Sequence, residues 1–204
     1  MCAHVEKKHT WYQNGIIPTN SGGSVIPHPF VLWPAQGPGG DEVDDLAGNH
    51  AQRIGNRIYL NSITCNMITF AYGDAITNYV VRLVIFQWLD ENTDVTYPGY
   101  GDVFVDAADS YPYLDFINPN TKQKIKLIKD YTFKICNGSD TGININKFTF
   151  IPPVRNIVFA DNTQSGYNAV LQKGQIYYCL CSNASTTTYA PRVEFQTLLT
   201  YQDA

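Results

Sequence analysis

Five lysines, Lys122, Lys124, Lys126, Lys129 and Lys134, fall within 13 positions of a chain that carries 14 basic residues in all. With Arg53 and Arg57 they can meet the phosphates of a nucleic-acid backbone, contacts that position a polymer without reading its bases. The same spacing also suits the solvated face of a strand, where charge discourages edge pairing. Other constellations carry less. Asp41, Glu42, Asp44 and Asp45, with His50 nearby, offer the oxygen ligands calcium takes, yet they lack EF-hand spacing and a glycine hinge and read as a solvated loop or helix start. Cys179 and Cys181 share one face of a strand; further ligands would have to come from Cys65 or Cys136, so buried thiols are the simpler reading. His4, His9, His28 and His50 all lie in the first quarter, and no GxSxG, HExxH or phosphate-cradling glycine loop occurs. The expectation is a protein without catalytic residues, cofactor or metal site.

The elements that must position these residues are strands. Residues 57–69, 79–89, 124–136, 143–151, 156–160, 175–182 and 191–201 are rich in β-branched and aromatic side chains and are separated by turn residues. Segment 79–89 is apolar at both parities, as in a central strand covered on both faces. Segment 124–136 alternates: Ile125, Leu127, Tyr131, Phe133 and Ile135 are expected on one face, and Lys124, Lys126, Asp130, Thr132 and Lys134 on the other. No helix-period stretch interrupts the series, so the fold class is all-β, an antiparallel sandwich.

Residues 15–48 hold seven of the 15 glycines and five of the 11 prolines, broken by Ile26 and Phe30-Val31-Leu32-Trp33. Such a segment cannot sustain ladder hydrogen bonds, so residues 1–50 are expected to be a largely irregular arm lying on a surface, with the sandwich in 51–204. Residues 90–121 form a long insertion with seven acids (Asp90, Glu91, Asp94, Asp102, Asp106, Asp109 and Asp115) and no lysine or arginine. A short helix is expected within it near Val103 to Ala108. The aromatic residues of the loops, among them Trp33, Tyr97, Tyr100, Tyr111, Tyr113, Tyr167 and Tyr189, suit interfaces, where Tyr and Trp are enriched.

The chain has 204 residues, 44% of them apolar and 13% aromatic, enough for one sandwich with a sizeable core. Its net charge of −4 is uneven, since the first fifty residues set Glu6, Asp41, Glu42, Asp44 and Asp45 against Lys7 and Lys8 alone. No apolar run is long enough to span a bilayer and the start lacks the order of a secretory signal, so a soluble chain without membrane insertion is expected. Five cysteines, mostly inside strands, read as reduced thiols.

The sequence from Arg53 to Ile63 (RIGNRIYLNSI), the Arg82-containing strand Val80 to Phe86, the turn Phe116-Ile117-Asn118-Pro119-Asn120 leading into Ile125 to Asp130, and the last strand Arg192 to Tyr201 with Asp203 behind it resemble, in that order, the capsid proteins of small circular single-stranded DNA viruses, the circovirus-like group. The resemblance covers roughly residues 52–203, and Arg53 to Ile63 is similar to that group's first strand. It implies an eight-stranded jelly roll with an extended N-terminal arm. It further implies many copies in a small icosahedral shell around a single-stranded DNA genome held without sequence preference, a receptor on a host cell, and a location in the virion and, during assembly, the host nucleus or cytoplasm. That group opens on a basic arm, whereas the first fifty residues here are net acidic. Arg53, Arg57, Lys122, Lys124 and Lys126 are the expected nucleic-acid contacts. The competing readings are the capsid of a small RNA or satellite virus, and a lectin-like sandwich holding a sugar on the Tyr and Asp residues of the insertion.

Overall fold

β-branched and aromatic residues at alternating positions pair wherever a partner strand can cover them. The computed structural model describes residues 7–16, 27–34, 42–43, 50–51, 53, 55–70, 78–90, 98–105, 113–136, 143–160, 171–184 and 190–204. Among the described residues are β1 (Lys8–Ile16), β2 (His28–Pro29), β3 (Glu42–Val43), β4 (His50–Ala51), β5 (Arg57–Phe70), β6 (Asn78–Trp88), β7 (Ile125–Cys136), β8 (Ile143–Phe150), β9 (Asn156–Val158), β10 (Gln175–Ser182) and β11 (Arg192–Asp203). One helical turn, α1 (Tyr100–Val103), lies between β6 and β7. The first sheet has the order β1-β11-β5-β8, with β9 also on β5, and the second β2-β10-β6-β7; β3 and β4 pair with each other. Every pairing is antiparallel, which makes the protein an all-β sandwich of two sheets.

The main core lies between the sheets. Ile63, Cys65 and Met67 of β5 and Val193, Phe195, Leu199 and Tyr201 of β11 face Val81, Leu83 and Ile85 of β6 and Ile176, Tyr178 and Leu180 of β10. Strand β5 holds Ile58 and Leu60 on this face as well, although their parity is opposite to that of Ile63. The register against β11 slips there, Thr200 facing Ser62 and Tyr201 facing Leu60, so one extra residue resets the alternation. A second slip, between Ile85 and Phe86 against β7, corrects the expected alternation of 124–136. Phe133 and Ile135 enter the main core, whereas Ile125 packs on the opposite side of the sheet and Leu127 is 47% exposed. An inserted residue moves every side chain beyond it to the other face.

The first fifty residues divide. Where an irregular arm was expected, β1 pairs with β11 without interruption from Lys8 opposite Tyr201 to Ile16 opposite Val193. Its inward positions, Lys8, Thr10 and Tyr12, are amphipathic rather than apolar, so no hydrophobic alternation announces it. Lys8 closes the end of the sheet with an ion pair to Asp203 at 2.6 Å. The strand that opens at Arg57 is therefore not the first of the sandwich. Further along, Phe30, Val31 and Trp33 are buried in the main core. The Trp33 ring stands edge-on to Phe159 at 6.0 Å, and its indole N–H donates to the Gln175 side-chain carbonyl. Among the described residues, no helix is long and apolar enough to cross a membrane.

Because Trp33 is core, Trp33→Ala is expected to cost about 3–5 kcal/mol in a denaturant titration, the usual penalty for emptying a large aromatic site. A loss below about 1 kcal/mol would show that the segment merely rests on the surface.

Candidate functional site

Two places concentrate charge: one end of the sandwich, and the insertion on the second sheet. The segment Val154–Val158 fixes the end, since Gln87 of β6 donates to the Val154 carbonyl at 2.9 Å and accepts from its N–H at 2.8 Å, while Val158 pairs with Arg57 on β5. Leu89 N–H donates to the Lys124 carbonyl at 2.7 Å, bringing the start of β7 to the same end. Arg57, Lys122, Lys124 and Lys126 are thus brought to one end of the molecule, and all four are exposed. Lys124 pairs with Asp90 at 3.2 Å, both half exposed, a contact worth about 0–1 kcal/mol in water.

Arg53 does not join them. Its side chain is fully buried, with the guanidinium carbon 3.9 Å from the centre of the Phe159 ring, and it donates to the carbonyls of Pro34 and Gly55. A cation enclosed this way orders the chain around it and is withdrawn from any phosphate. Sequence reasoning missed two other cations at this end, because each stands alone in its segment. Arg155 lies over Tyr59 at 4.4 Å and donates to the Leu60 carbonyl at 2.9 Å, and Lys173 is exposed beside Gly174, whose N–H donates to the Trp88 carbonyl.

The acidic insertion covers the outer face of the second sheet. Val103 and Phe104 pack on Val84, Phe86, Trp88, Tyr177, Cys179, Cys181 and Ile125, forming a second apolar cluster. The helix comes earlier than expected: Pro98-Gly99 opens it, with the Asp102 carboxylate accepting the Gly99 N–H at 2.8 Å, and Phe104 is already extended, bridging Ile117, while Asp106 to Ala108 lie outside the described residues. One arginine clamps this cover. Arg82, on the outer face of β6, donates to both carboxylate oxygens of Asp130 at 2.8 and 2.7 Å and to the backbone carbonyl of Asp115. The Asp115 carboxylate, pushed up by burial and held down by Arg82, accepts from the Tyr100 hydroxyl.

Among the described residues, nothing covers the outer face of the first sheet. Its rows read Trp11, Leu198 and Thr64; Gln13, Gln196, Asn66 and Lys147; then Glu194, Ile68 and Ile145. Two shallow hollows of about 230 and 320 Å³, both touching Asn66 and Gln196, run along it.

Of the loop aromatics expected at interfaces, Trp33 is core, and Tyr100 and Tyr113 are partly buried on the second cluster. Tyr97, Tyr111, Tyr167 and Tyr189 lie outside the described residues, as do Asp41, Asp44 and Asp45. Among the described residues no three His, Cys, Asp or Glu side chains converge as a metal site would require. Cys65, Cys179 and Cys181 are free, buried thiols. No family model matches the chain, and no curated protein matches it in sequence.

Two outcomes follow. Arg82→Met is expected to lower stability by about 1–3 kcal/mol, the range for lost charge-assisted hydrogen bonds, and to speed hydrogen exchange across 98–118 more than elsewhere. Unchanged exchange there would show that the clamp holds nothing. Burial pushes Cys65 and Cys181 from 9.0 up to about 12, so their thiolates are disfavoured in the folded state. Stability from this source is complete below pH 9 and is lost as pH rises toward 12, and at pH 8 mass-mapped alkylation is expected to leave both unmodified until the chain unfolds.

Proposed function

We propose that the protein is a non-enzymatic structural subunit that assembles with copies of itself into a closed shell around a nucleic acid, as the capsid proteins of small circular single-stranded DNA viruses do, and that its sandwich is an eight-stranded jelly roll. The strand order supports the fold. With β3, β4 and β9 set aside, the first strand pairs with the last (β1 with β11), the second with the seventh (β2 with β10), the third with the sixth (β5 with β8) and the fourth with the fifth (β6 with β7). That nesting is a long hairpin rolled up on itself.

The observation that carries the assembly reading is the large apolar surface left in water. Phe116 is 81% exposed, Ile145 74%, Leu114 65% and Ile151 61%. Apolar side chains this exposed, Leu114 and Phe116 on the insertion and Ile145 and Ile151 along β8, suit places where another surface belongs. Arg57, Lys122, Lys124 and Lys126, joined by Arg155 and Lys173, then serve as phosphate contacts on the wall that faces the genome. Such contacts hold single-stranded DNA or RNA without reading sequence. The subunit's place is the virion and, before that, the compartment of the host cell where shells form.

A second reading rests on the open face of the first sheet, where Trp11 and the carboxamides of Gln13, Asn66 and Gln196 line hollows suited to a neutral, hydroxylated ligand such as an oligosaccharide. Particle size separates the two. Negative-stain imaging of the purified chain is expected to show closed, uniform particles, and a monomer persisting at high concentration would end the shell reading. Within particles, replacing Lys122, Lys124 and Lys126 with glutamine is expected to lower the co-purified nucleic acid, read as the ratio of absorbance at 260 nm to that at 280 nm. An unchanged ratio would remove these lysines as contacts.

A further inference from the structure

The outer face of the first sheet has a composition unlike that of an ordinary solvated surface. Alternation turns Ile58, Leu60, Ile63, Cys65 and Met67 of β5 inward, so Arg57, Tyr59, Thr64, Asn66, Ile68 and Phe70 line the outer face. Over its 14 residues the strand runs roughly 45 Å at about 3.3 Å per residue. An aromatic ring stands near each end and another between. Tyr59 lies close to the start of β5 and Phe70 at its end, while Trp11 of β1 stands opposite Leu198, which is opposite Thr64. Both end rings carry a guanidinium. The Arg155 carbon is 4.4 Å from the centre of the Tyr59 ring, and that of Arg192, opposite Phe70 on β11, is 5.9 Å from the Phe70 ring.

Polar groups occupy the stretch between the rings. Gln13, Gln196, Asn66 and Lys147 stand in one cross-strand row, three carboxamides ending on an ammonium. The hollows of about 230 and 320 Å³ both touch this row, one reaching Ile68 and Ile145 and the other Trp11. Among the described residues, the face holds Arg57, Arg155, Arg192 and Lys147 and one acid, Glu194. Glu194 is half-buried, opposite Ile68 and two residues from Arg192, so it acts on one hollow and not on the whole length. Asp203, the other acid of β11, pairs with Lys8 at 2.6 Å. Among the described residues, no carboxylate pairs with Arg57, Arg155 or Lys147.

We propose that the outer face of the first sheet is a binding site for single-stranded nucleic acid, with bases stacked on Tyr59, Trp11 and Phe70 and phosphates held by Arg57, Arg155, Arg192 and Lys147. A base stacks on an aromatic ring or on a guanidinium plane, which makes each arginine–aromatic pair a platform. Gln13, Asn66 and Gln196 both donate and accept, so they serve whichever base edge reaches them. Only unpaired bases bring their ring faces to a sheet in this way, because a duplex keeps those faces stacked inside. The inference rests on the nucleic-acid part of the proposed function and names a further surface for it. Arg57 belongs both to this face and to the basic end with Lys122, Lys124 and Lys126, so a strand can run from one to the other. A neutral oligosaccharide would use Trp11 and the carboxamides but neither arginine–aromatic pair nor Lys147.

For the test, full chain freed of nucleic acid in high salt is titrated into a fluorescein-labelled oligothymidylate of about twelve nucleotides, and anisotropy is read. Trp11→Ala and Tyr59→Ala are each expected to weaken binding about 5- to 150-fold, the loss of one stacked base, while Trp11→Phe and Tyr59→Phe keep most of it. Arg155→Gln and Lys147→Gln are each expected to lower the salt slope by about 0.7, the single-strand value per phosphate contact. Thermal melting verifies folding, and the phenylalanine and Lys147 variants decide the matter where an alanine variant melts early. Unlabelled duplex of the same length should compete poorly. Alanine variants that bind as the parent does, with loss confined to glutamine at Lys122, Lys124 and Lys126, would overturn the face and leave nucleic-acid binding standing. A duplex that competes as well as the single strand would overturn stacking. Maltohexaose bound through Trp11, with oligothymidylate binding unchanged by Trp11→Ala, would assign the face to a sugar and overturn the site. A parent that ignores the oligothymidylate would overturn this site and the nucleic-acid part of the proposed function together.

Discussion

Strands β6 and β10 carry large side chains on both faces, and most of the architecture follows from covering them twice. Toward the first sheet they present Val81, Leu83, Ile85, Ile176, Tyr178 and Leu180; away from it, Val84, Phe86, Trp88, Tyr177, Cys179 and Cys181. Burying a side chain such as Val84 or Phe86 is worth about 1.5–3 kcal/mol, so leaving this face in water would offset much of what a domain of this kind retains. A two-sheet sandwich covers one face only. The insertion between β6 and β7 supplies the second cover, which is why a segment with a high acid content is held against the sheet.

Covering that face sets the conditions for the clamp. A charged arginine on the buried side of β6 is unfavourable unless its donors are occupied, and Arg82 meets this with the Asp130 carboxylate on the neighbouring strand and a carbonyl of the insertion. The pair therefore ties the cover to β6 and β7 at once. Alternation does the rest. With Asp115 turned in to meet Tyr100, and Tyr113 and Ile117 turned in to the cluster, the chain between them has to turn Leu114 and Phe116 outward. The exposed pair, Leu114 and Phe116, is the geometric counterpart of the buried clamp.

The long strands were legible because their residues announce their partners. Segment 79–89 is apolar at both parities and is buried at both, and the strands read at 57–69, 143–151, 175–182 and 191–201 lie within a few residues of β5, β8, β10 and β11. Strand β1 was not legible: KHTWYQNGI has polar residues inside, and it is held by nine consecutive pairings with β11 rather than by its own pattern. Inserted residues were equally silent, since the slip at Ile85 and Phe86 changes which face Ile125 occupies without altering composition. At the basic end of the sandwich, clustering in sequence picked out Lys122, Lys124 and Lys126, and the fold places Arg155 and Lys173 from elsewhere at the same end. Arg53 shows the limit of such reasoning, because sequence spacing does not tell a cation stacked on Phe159 inside the core from one facing solvent.

Charge follows the same division of labour. The acids of the insertion and the lysines of β7 and β8 are neighbours in sequence, yet in the described residues they meet little: Lys124 with Asp90 is an exposed pair, and Asp130 is taken by Arg82. Among the described strands β8 ends the first sheet, and a lysine in the centre of such an edge strand discourages indiscriminate pairing with any other edge. Leu114 and Phe116 face solvent in this way only where β6 and β7 have paired and Arg82 has closed on Asp115. Those contacts are long-range in sequence, a class of pairing that is slow to form.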